Sequence, residues 1–165
     1  MPQISLDWDT FKAAYPMRPL TGALKAFMDQ LGPGNTPCCV QMSHALSIAG
    51  CSIGSRSNRR QNSTIAVLGI KRYYLLAVDE LKWFLEQNFD VGEEISIDDD
   101  GNRREIKDMK DDLNGRTGIL IFSDLRFGKH TELWDTDHMY QRDMSETLFN
   151  SPKVLFWDVM ITAEA

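Results

Sequence analysis

Apolar positions keep a helical rhythm through the first half of the chain and change to alternating or continuous runs in the second. Trp8, Phe11 and Tyr15, then Leu20, Leu24, Phe27, Met28 and Leu31, recur at intervals of roughly three to four residues. Pro16 and Pro19 interrupt that run, so two short helices are predicted between Trp8 and Leu31. Gly32-Pro33-Gly34-Asn35-Thr36-Pro37 then concentrates residues that stop a helix and re-aim the chain. The rhythm resumes with Val40, Met42, Ala45, Leu46 and Ala49, and Gly50 supplies a C-terminal stop, predicting a helix over 38–49 with Cys38 in its first turn. A polar loop over 51–63 leads to a short strand over 64–68. Leu76, Val78, Leu81, Phe84 and Leu85 predict a further helix over 75–89.

Beyond residue 93 the period shortens. Glu94-Ile95-Ser96-Ile97 alternates, Asp98-Asp99-Asp100-Gly101-Asn102 turns, and Arg104-Glu105-Ile106 is predicted to return as the second arm of a hairpin, ahead of a short helix over 106–113. Thr117 to Ser123 (TGILIFS) has the continuous apolar character of a buried central strand. His130 to Trp134 alternates as the next strand, and KVLFWDVMI from Lys153 closes the chain with a third. Helices gathered ahead of strands predict an α+β fold, with residues 162–165 as a frayed end. At 165 residues the chain fits a single domain over 1–165.

Composition narrows the function. A content of 42% hydrophobic and 25% charged residues is that of a self-folding globular protein. Lys and Arg number 18 against 24 Asp and Glu, and the resulting charge of −6 disfavours nucleic acid as a partner. Arg56, Arg59 and Arg60 cluster within a Ser/Asn-rich stretch that reads as a solvated loop. No apolar run approaches the ~20 residues of a membrane span, and the acidic N-terminal stretch lacks the basic region and apolar core of a secretory signal. A chain made in the cytoplasm, without membrane insertion and outside the Sec route, is expected.

Three cysteines, Cys38, Cys39 and Cys51, cannot all pair with one another, which turns attention to thiol chemistry. A cysteine at a helix start has its thiolate stabilised by the macrodipole and by backbone N–H groups with no partner in the helix. The same groups can receive the oxyanion of an amide-cleavage intermediate. Cys38 has that placement, the alternative being a small buried hydrophobe. Among histidines, His44 lies more than a turn away on the same helix and His138 falls in a polar turn. His130 opens a strand after the buried TGILIFS strand and is the candidate base. A hairpin closing on a two-residue Asp135-Thr136 turn sets Gln141 opposite His130 as the third polar group, with Asp143 and Asp137 as rivals. The Asp98–Asn102 segment lacks calcium-loop spacing and no Cys/His set has zinc spacing, so neither metal nor cofactor is expected.

Two segments carry a resemblance. Asn35-Thr36-Pro37-Cys38-Cys39-Val40-Gln41-Met42-Ser43-His44-Ala45-Leu46 resembles the nucleophile segment of type VI secretion amidase effectors, above all their fourth family, with its pattern N-x-C-x-[IV]-R-M-S-x-[AV]-L-N. Gly118-Ile119-Leu120-Ile121-Phe122 and Gly128-Lys129-His130-Thr131-Glu132-Leu133-Trp134-Asp135 resemble that family's G-I-[LIV] strand and G-H-[VI]-[DT]-L-W-[DN] segment. Gln41 stands where the family has arginine, Lys129 intrudes before the histidine, and Gln141 replaces the usual aspartate. The resemblance implies an NlpC/P60 papain-like fold with Cys38 as nucleophile and His130 as base, and Asn35, Ser43, Trp134 and Asp135 near the substrate. It implies cleavage of the γ-D-glutamyl to meso-diaminopimelate amide of peptidoglycan stem peptides, type VI delivery into a rival's periplasm, and a cognate immunity protein. Two other readings remain open at this point. One is an acyltransferase or transglutaminase-like toxin using the same dyad, and the other a non-catalytic interaction protein with an acidic surface.

Overall fold

The computed structural model describes residues 3–32, 37–53, 62–67, 70–125, 128–141 and 144–160. The expectations for Asn35, for the Arg56, Arg59 and Arg60 loop, for Asp143 and for the chain end over 162–165 lie outside them. Two compact units divide the chain, Asp9–Phe84 on one side and Met1–Trp8 with Leu85–Ala165 on the other.

In the unit Asp9–Phe84, the two predicted short helices are α1 (Trp8–Ala14) and α2 (Gly22–Leu31), and the Cys38 helix is α3 (Cys38–Ile48). Leu24 and Phe27 of α2, Val40 of α3 and Tyr74 form a buried cluster, with the Phe27 and Tyr74 rings 5.4 Å apart. Gln41 is fully buried and its Nε2 donates to the Pro16 carbonyl at 2.8 Å, tying α3 to the segment that follows α1.

One element here corrects the sequence reading. Ile70–Leu75 is a strand, β3, antiparallel to β2 (Asn62–Val67) in a register running from Asn62↔Leu75 to Val67↔Ile70. The helix predicted from residue 75 begins later, as α4 (Val78–Asn88). Cross-strand pairing satisfies the backbone of IKRYYL, which a helix signal further on could not do. The Ala77 carbonyl accepts the first helical bonds, from Glu80 and Leu81 at 3.1 Å each, and Asp79 and Glu80 suit the positive end of the new helix.

The other unit is built on a sheet. TGILIFS lies within β5 (Arg116–Leu125), flanked antiparallel by β6 (Gly128–Thr136) and β8 (Lys153–Val159). The short β7 (His138–Met139) extends the sheet beyond β6, while β1 (Gln3–Ile4, parallel) and β4 (Glu93–Glu94, antiparallel) both pair with β8. Helix α5 (Ile106–Leu113) and a 3-10 turn at Glu146–Asn150 supply Met109, Leu113, Leu148 and Phe149 to a core with Leu120, Phe122, Trp134 and Phe156.

The hairpin expected over 94–106 is shortened to its tip. Glu93 and Glu94 pair with β8, and the two arms meet at the Ile97↔Arg103 bridge, with the Asp98 amide on the Asn102 carbonyl at 2.8 Å and the Arg104 amide on the Ser96 carbonyl at 2.9 Å. The Asp98 carboxylate accepts the Asp100 and Asn102 amides at 3.0 and 2.9 Å, an Asx turn that closes the acidic loop on itself. Arg116 meets Glu93 and Asp158 at 3.0 and 2.9 Å and lies 4.8 Å over the Phe156 ring, joining β4, β5 and β8.

Strand packing leaves no room at Gly118. A Cβ there would stand 2.0 Å from the Trp157 carbonyl oxygen and 2.8 Å from the Phe156 ring, so neighbouring backbone would have to move. Gly118→Ala is expected to cost about 3 kcal/mol, read as a fall in Tm of roughly 6–12 °C. Gly101→Ala, at φ +82 with open space around it, serves as a control that loses about 1–2 kcal/mol to backbone strain alone. Equal losses at the two sites would refute the steric account.

Candidate active site

Helix α3 places the cysteine as its sequence predicts. The first bond along this helix runs from the Gln41 amide to the Pro37 carbonyl at 2.8 Å, so Cys38 and Cys39 stand in the turn whose amides precede the intrahelical ladder. No acidic residue occupies that first turn, which leaves the positive end of the helix to the thiols. All three cysteines are thiols; Cys38 and Cys39 are buried and Cys51 is half-buried.

Their surroundings treat the three differently. The Cys39 thiol is held well above its ordinary pKa, first by a hydrogen bond to Cys38, then by burial and by the negative charge of Cys38 and Asp79. Burial pushes Cys51 up to about 11. Cys39 therefore keeps its proton beside Cys38 and does not compete with it as a thiolate. The two adjacent thiols meet through their side chains.

Ser43 and His44, further along α3, are engaged within the same unit. The buried Ser43 hydroxyl accepts the Leu75 amide at 3.0 Å and donates to the Leu75 carbonyl at 3.5 Å, fastening α3 to β3. His44 Nδ1 bonds the Tyr74 hydroxyl at 2.8 Å, with the two rings stacked at 6.1 Å.

In the sheet unit His130 stands on β6 opposite Phe122 of β5, and Glu132 opposite Leu120. Residues i and i+2 of a strand share a face, and here they meet: the His130 Nε2 is in contact with the Glu132 carboxylate. Glu132 is fully buried and the His130 side chain is 12% exposed, so this carboxylate–imidazole contact is largely withdrawn from water. A carboxylate placed this way favours the imidazolium and holds the ring orientation. The sequence reading passed over Glu132. Its signal was an acidic residue inside the apolar run Thr131–Trp134, two positions from the histidine.

The hairpin register differs from the predicted one. Trp134 pairs with Met139 and Asp135 with His138, so the two-residue turn is Thr136-Asp137, with Thr136 at φ 60. One more bond, from the Tyr140 amide to the Leu133 carbonyl at 2.9 Å, continues that register. Counted along it, Gln141 comes level with Glu132 and not with His130; it is buried, and its carbonyl accepts the Met144 amide at 3.1 Å. Asp137 is exposed and bonds His138 Nδ1 at 2.7 Å, which holds its carboxyl below the usual carboxylate range. Asp135 is half-buried within the hairpin.

Trp134, expected beside the substrate, is placed in the core instead. It is 1% exposed, its Nε1 donates to the Leu113 carbonyl at 2.9 Å, and its ring meets Phe149 edge-on at 5.9 Å. A large ring on the inward-facing positions of a central strand stabilises the sheet by burial. Among the described residues, no group of three or more His, Cys, Asp or Glu is arranged to hold a metal ion, and no helix is long and apolar enough to cross a membrane.

Comparison with known proteins brings this geometry into a family context. The model of the family described as type VI secretion system (T6SS), amidase effector protein 4 (Tae4), matches residues 35–157. No curated protein matches the chain. Among solved structures, it is similar to the effector Tae4 from Salmonella typhimurium, crystallised with the immunity protein Tai4 from Enterobacter cloacae. That match has a TM-score of 0.65 at 14% identity, covering 93% of this chain and 99% of that one. The effector Tae4 from Enterobacter cloacae aligns with a TM-score of 0.62 at 20% identity, over 96% of this chain and 99% of that one. Tae4 in the Enterobacter cloacae Tae4–Tai4 complex aligns with a TM-score of 0.61 at 19% identity, over 94% and 99%. At these identities the likeness is one of fold, helices combined with a largely antiparallel sheet.

Proposed function

Because this chain belongs to the Tae4 family of type VI secretion system amidase effectors, which act on peptidoglycan, we propose that it hydrolyses the γ-D-glutamyl to meso-diaminopimelate amide of stem peptides with Cys38 as nucleophile. Both compact units belong, in this reading, to one NlpC/P60 papain-like domain. One observation supports a cysteine mechanism above the others: Cys38 stands in the first turn of α3, a turn with no acidic residue, beside a Cys39 thiol that keeps its proton.

His130 accepts the Cys38 proton, and the thiolate attacks the γ-glutamyl carbonyl carbon to give a tetrahedral oxyanion. Backbone N–H groups at the start of α3 receive that oxyanion. Collapse of the intermediate breaks the C–N bond as imidazolium protonates the leaving amine, leaving a thioester on Cys38. Water, deprotonated by His130, then releases the glutamyl carboxylate and restores the thiol. Glu132 holds the imidazole through Nε2, so that proton transfer in this mechanism runs through Nδ1. Gln141 stands level with Glu132 and contributes polar support. Ser43 acts by fastening α3 to β3 through Leu75. The protein is made in the cytoplasm, delivered by the type VI apparatus into a target periplasm, and neutralised in the producer by a cognate immunity protein, as Tai4 accompanies its structural relatives.

Mass spectrometry of purified peptidoglycan digested by the protein tests this reading. Fragments ending in a free γ-glutamyl carboxyl are expected, together with peptides bearing a new diaminopimelate amine. Unchanged fragments would sink it. Glutamyl–amine adducts in the presence of added amine would replace hydrolysis by acyl transfer.

A further inference from the structure

A groove of about 360 Å³ lies in the helical unit, lined by Arg18, Pro19, Leu20, Lys25, Met28 and Pro37. Pro37 directly precedes Cys38, so one wall of the groove is one residue from the proposed nucleophile, a Cα separation of about 3.8 Å. The lining combines four apolar side chains with two cations and includes no carboxylate. In a chain of net charge −6 this is a local reversal of sign. Lys25 is exposed and paired with Asp29 at 2.9 Å, whereas Arg18 is half-buried at the apolar wall.

We propose that this groove is the subsite for the acyl half of the substrate, with the glutamyl α-carboxylate on Arg18 and the methyl of the preceding alanine against Leu20, Met28 and the prolines. The assignment rests on the γ-glutamyl reading above. In a γ-linked stem peptide the glutamyl α-carboxylate is free, and three methylene or methine carbons separate it from the scissile carbonyl carbon. It therefore lies roughly 5 Å from that carbon when extended, a reach that suits a cation lining the same groove as Pro37, the neighbour of Cys38. A guanidinium presents five donors in a planar fork, so it can keep a structural contact and still take both oxygens of a carboxylate.

Charge decides between the two halves of the substrate. The diaminopimelate side carries an ammonium beside its distal carboxylate, which Arg18 and Lys25 would repel. The acyl side offers a carboxylate with no such cation and a methyl-sized apolar neighbour. Only the acyl half matches both features of the groove, and it stays attached to Cys38 through the thioester while the amine departs.

Three N-acetylated tripeptides, in which the alanine nitrogen is uncharged as in peptidoglycan, test this: one with the free glutamyl α-carboxylate, one with that carboxylate amidated, and one amidated instead on diaminopimelate. Wild type is expected to favour the free acid over the glutamyl amide by roughly 10- to 100-fold in kcat/KM. In Arg18→Met that ratio collapses toward one, Arg18→Lys keeps an intermediate ratio, and Lys25→Met changes it by less than about threefold. Arg18→Lys also carries the test if Arg18→Met does not fold, because a ratio equal to wild type in Arg18→Lys overturns the bidentate contact. An undiminished ratio in folded Arg18→Met overturns the assignment, as does an Arg18 effect that disappears only with the diaminopimelate amide. Wild type cleaving free acid and glutamyl amide equally refutes the groove alone. If wild type cleaves none of the three, the γ-glutamyl reading fails and the groove assignment falls with it.

Discussion

Cys38→Ala is expected to lower the rate of peptidoglycan hydrolysis by on the order of 10⁴-fold, and adding His130→Ala to it costs almost nothing more. The two residues act as one unit: without the sulfur there is no nucleophile to deprotonate, and without the imidazole the thiol lacks its base and the leaving amine its proton. Alkylation separates this from general damage. Cys51, at about 11, is thiolate to only ~10⁻³ or less at pH 7.5 and Cys39 is held above its ordinary value, so modification by a small reagent should concentrate on Cys38. Loss of that fast-reacting thiol in Cys38→Ala, with an unchanged Tm, is the expected pairing. Persistent fast alkylation in Cys38→Ala would move the nucleophile to another cysteine.

Glu132→Gln should produce the second largest loss, roughly 10²- to 10⁴-fold in kcat, because the neutral isostere keeps the volume of a fully buried side chain while removing its charge. An amide beside the ring also offers a donor where the carboxylate only accepts, which favours the wrong imidazole tautomer. The pH profile distinguishes this from a loss of packing. A carboxylate against Nε2 stabilises the imidazolium; without it, the His130 proton leaves at lower pH. The alkaline limb, which reports the proton needed by the leaving amine, should therefore move to lower pH. Glu132→Asp, shorter but charged, is expected to recover part of the rate without moving the limb. A Glu132→Gln profile superimposable on wild type would assign Glu132 to packing, and the same comparison with Gln141→Ala would measure that residue's share.

The difference between these two residues reflects what local sequence can carry. Cys38 was legible because its cues are local: a Gly/Pro-dense turn, an apolar period of three to four residues, and a glycine stop define a helix whose first turn holds the thiol. TGILIFS announced a central strand for the same reason. β3 was missed because its evidence is a partner strand, and IKRYYL has no strong period of its own until Asn62–Val67 lies beside it. The β6–β7 register was misplaced by one position in the turn. In a two-residue hairpin that shifts every cross-strand pair by two, and Gln141 moved away from His130 accordingly.

What the sequence by itself determined is the placement of Cys38 at the start of α3, the order of helices before strands, and the two segments that resemble a family of amidase effectors. Those are properties of neighbours along the chain, where capping, period and residue type act within a few positions. Only the tertiary structure decided which carboxylate touches His130, that Trp134 is buried core, and that the Cys39 thiol is hydrogen-bonded to Cys38. Each depends on burial and on which side chain comes within hydrogen-bonding distance, and these follow from packing the sheet and the helices rather than from any local pattern.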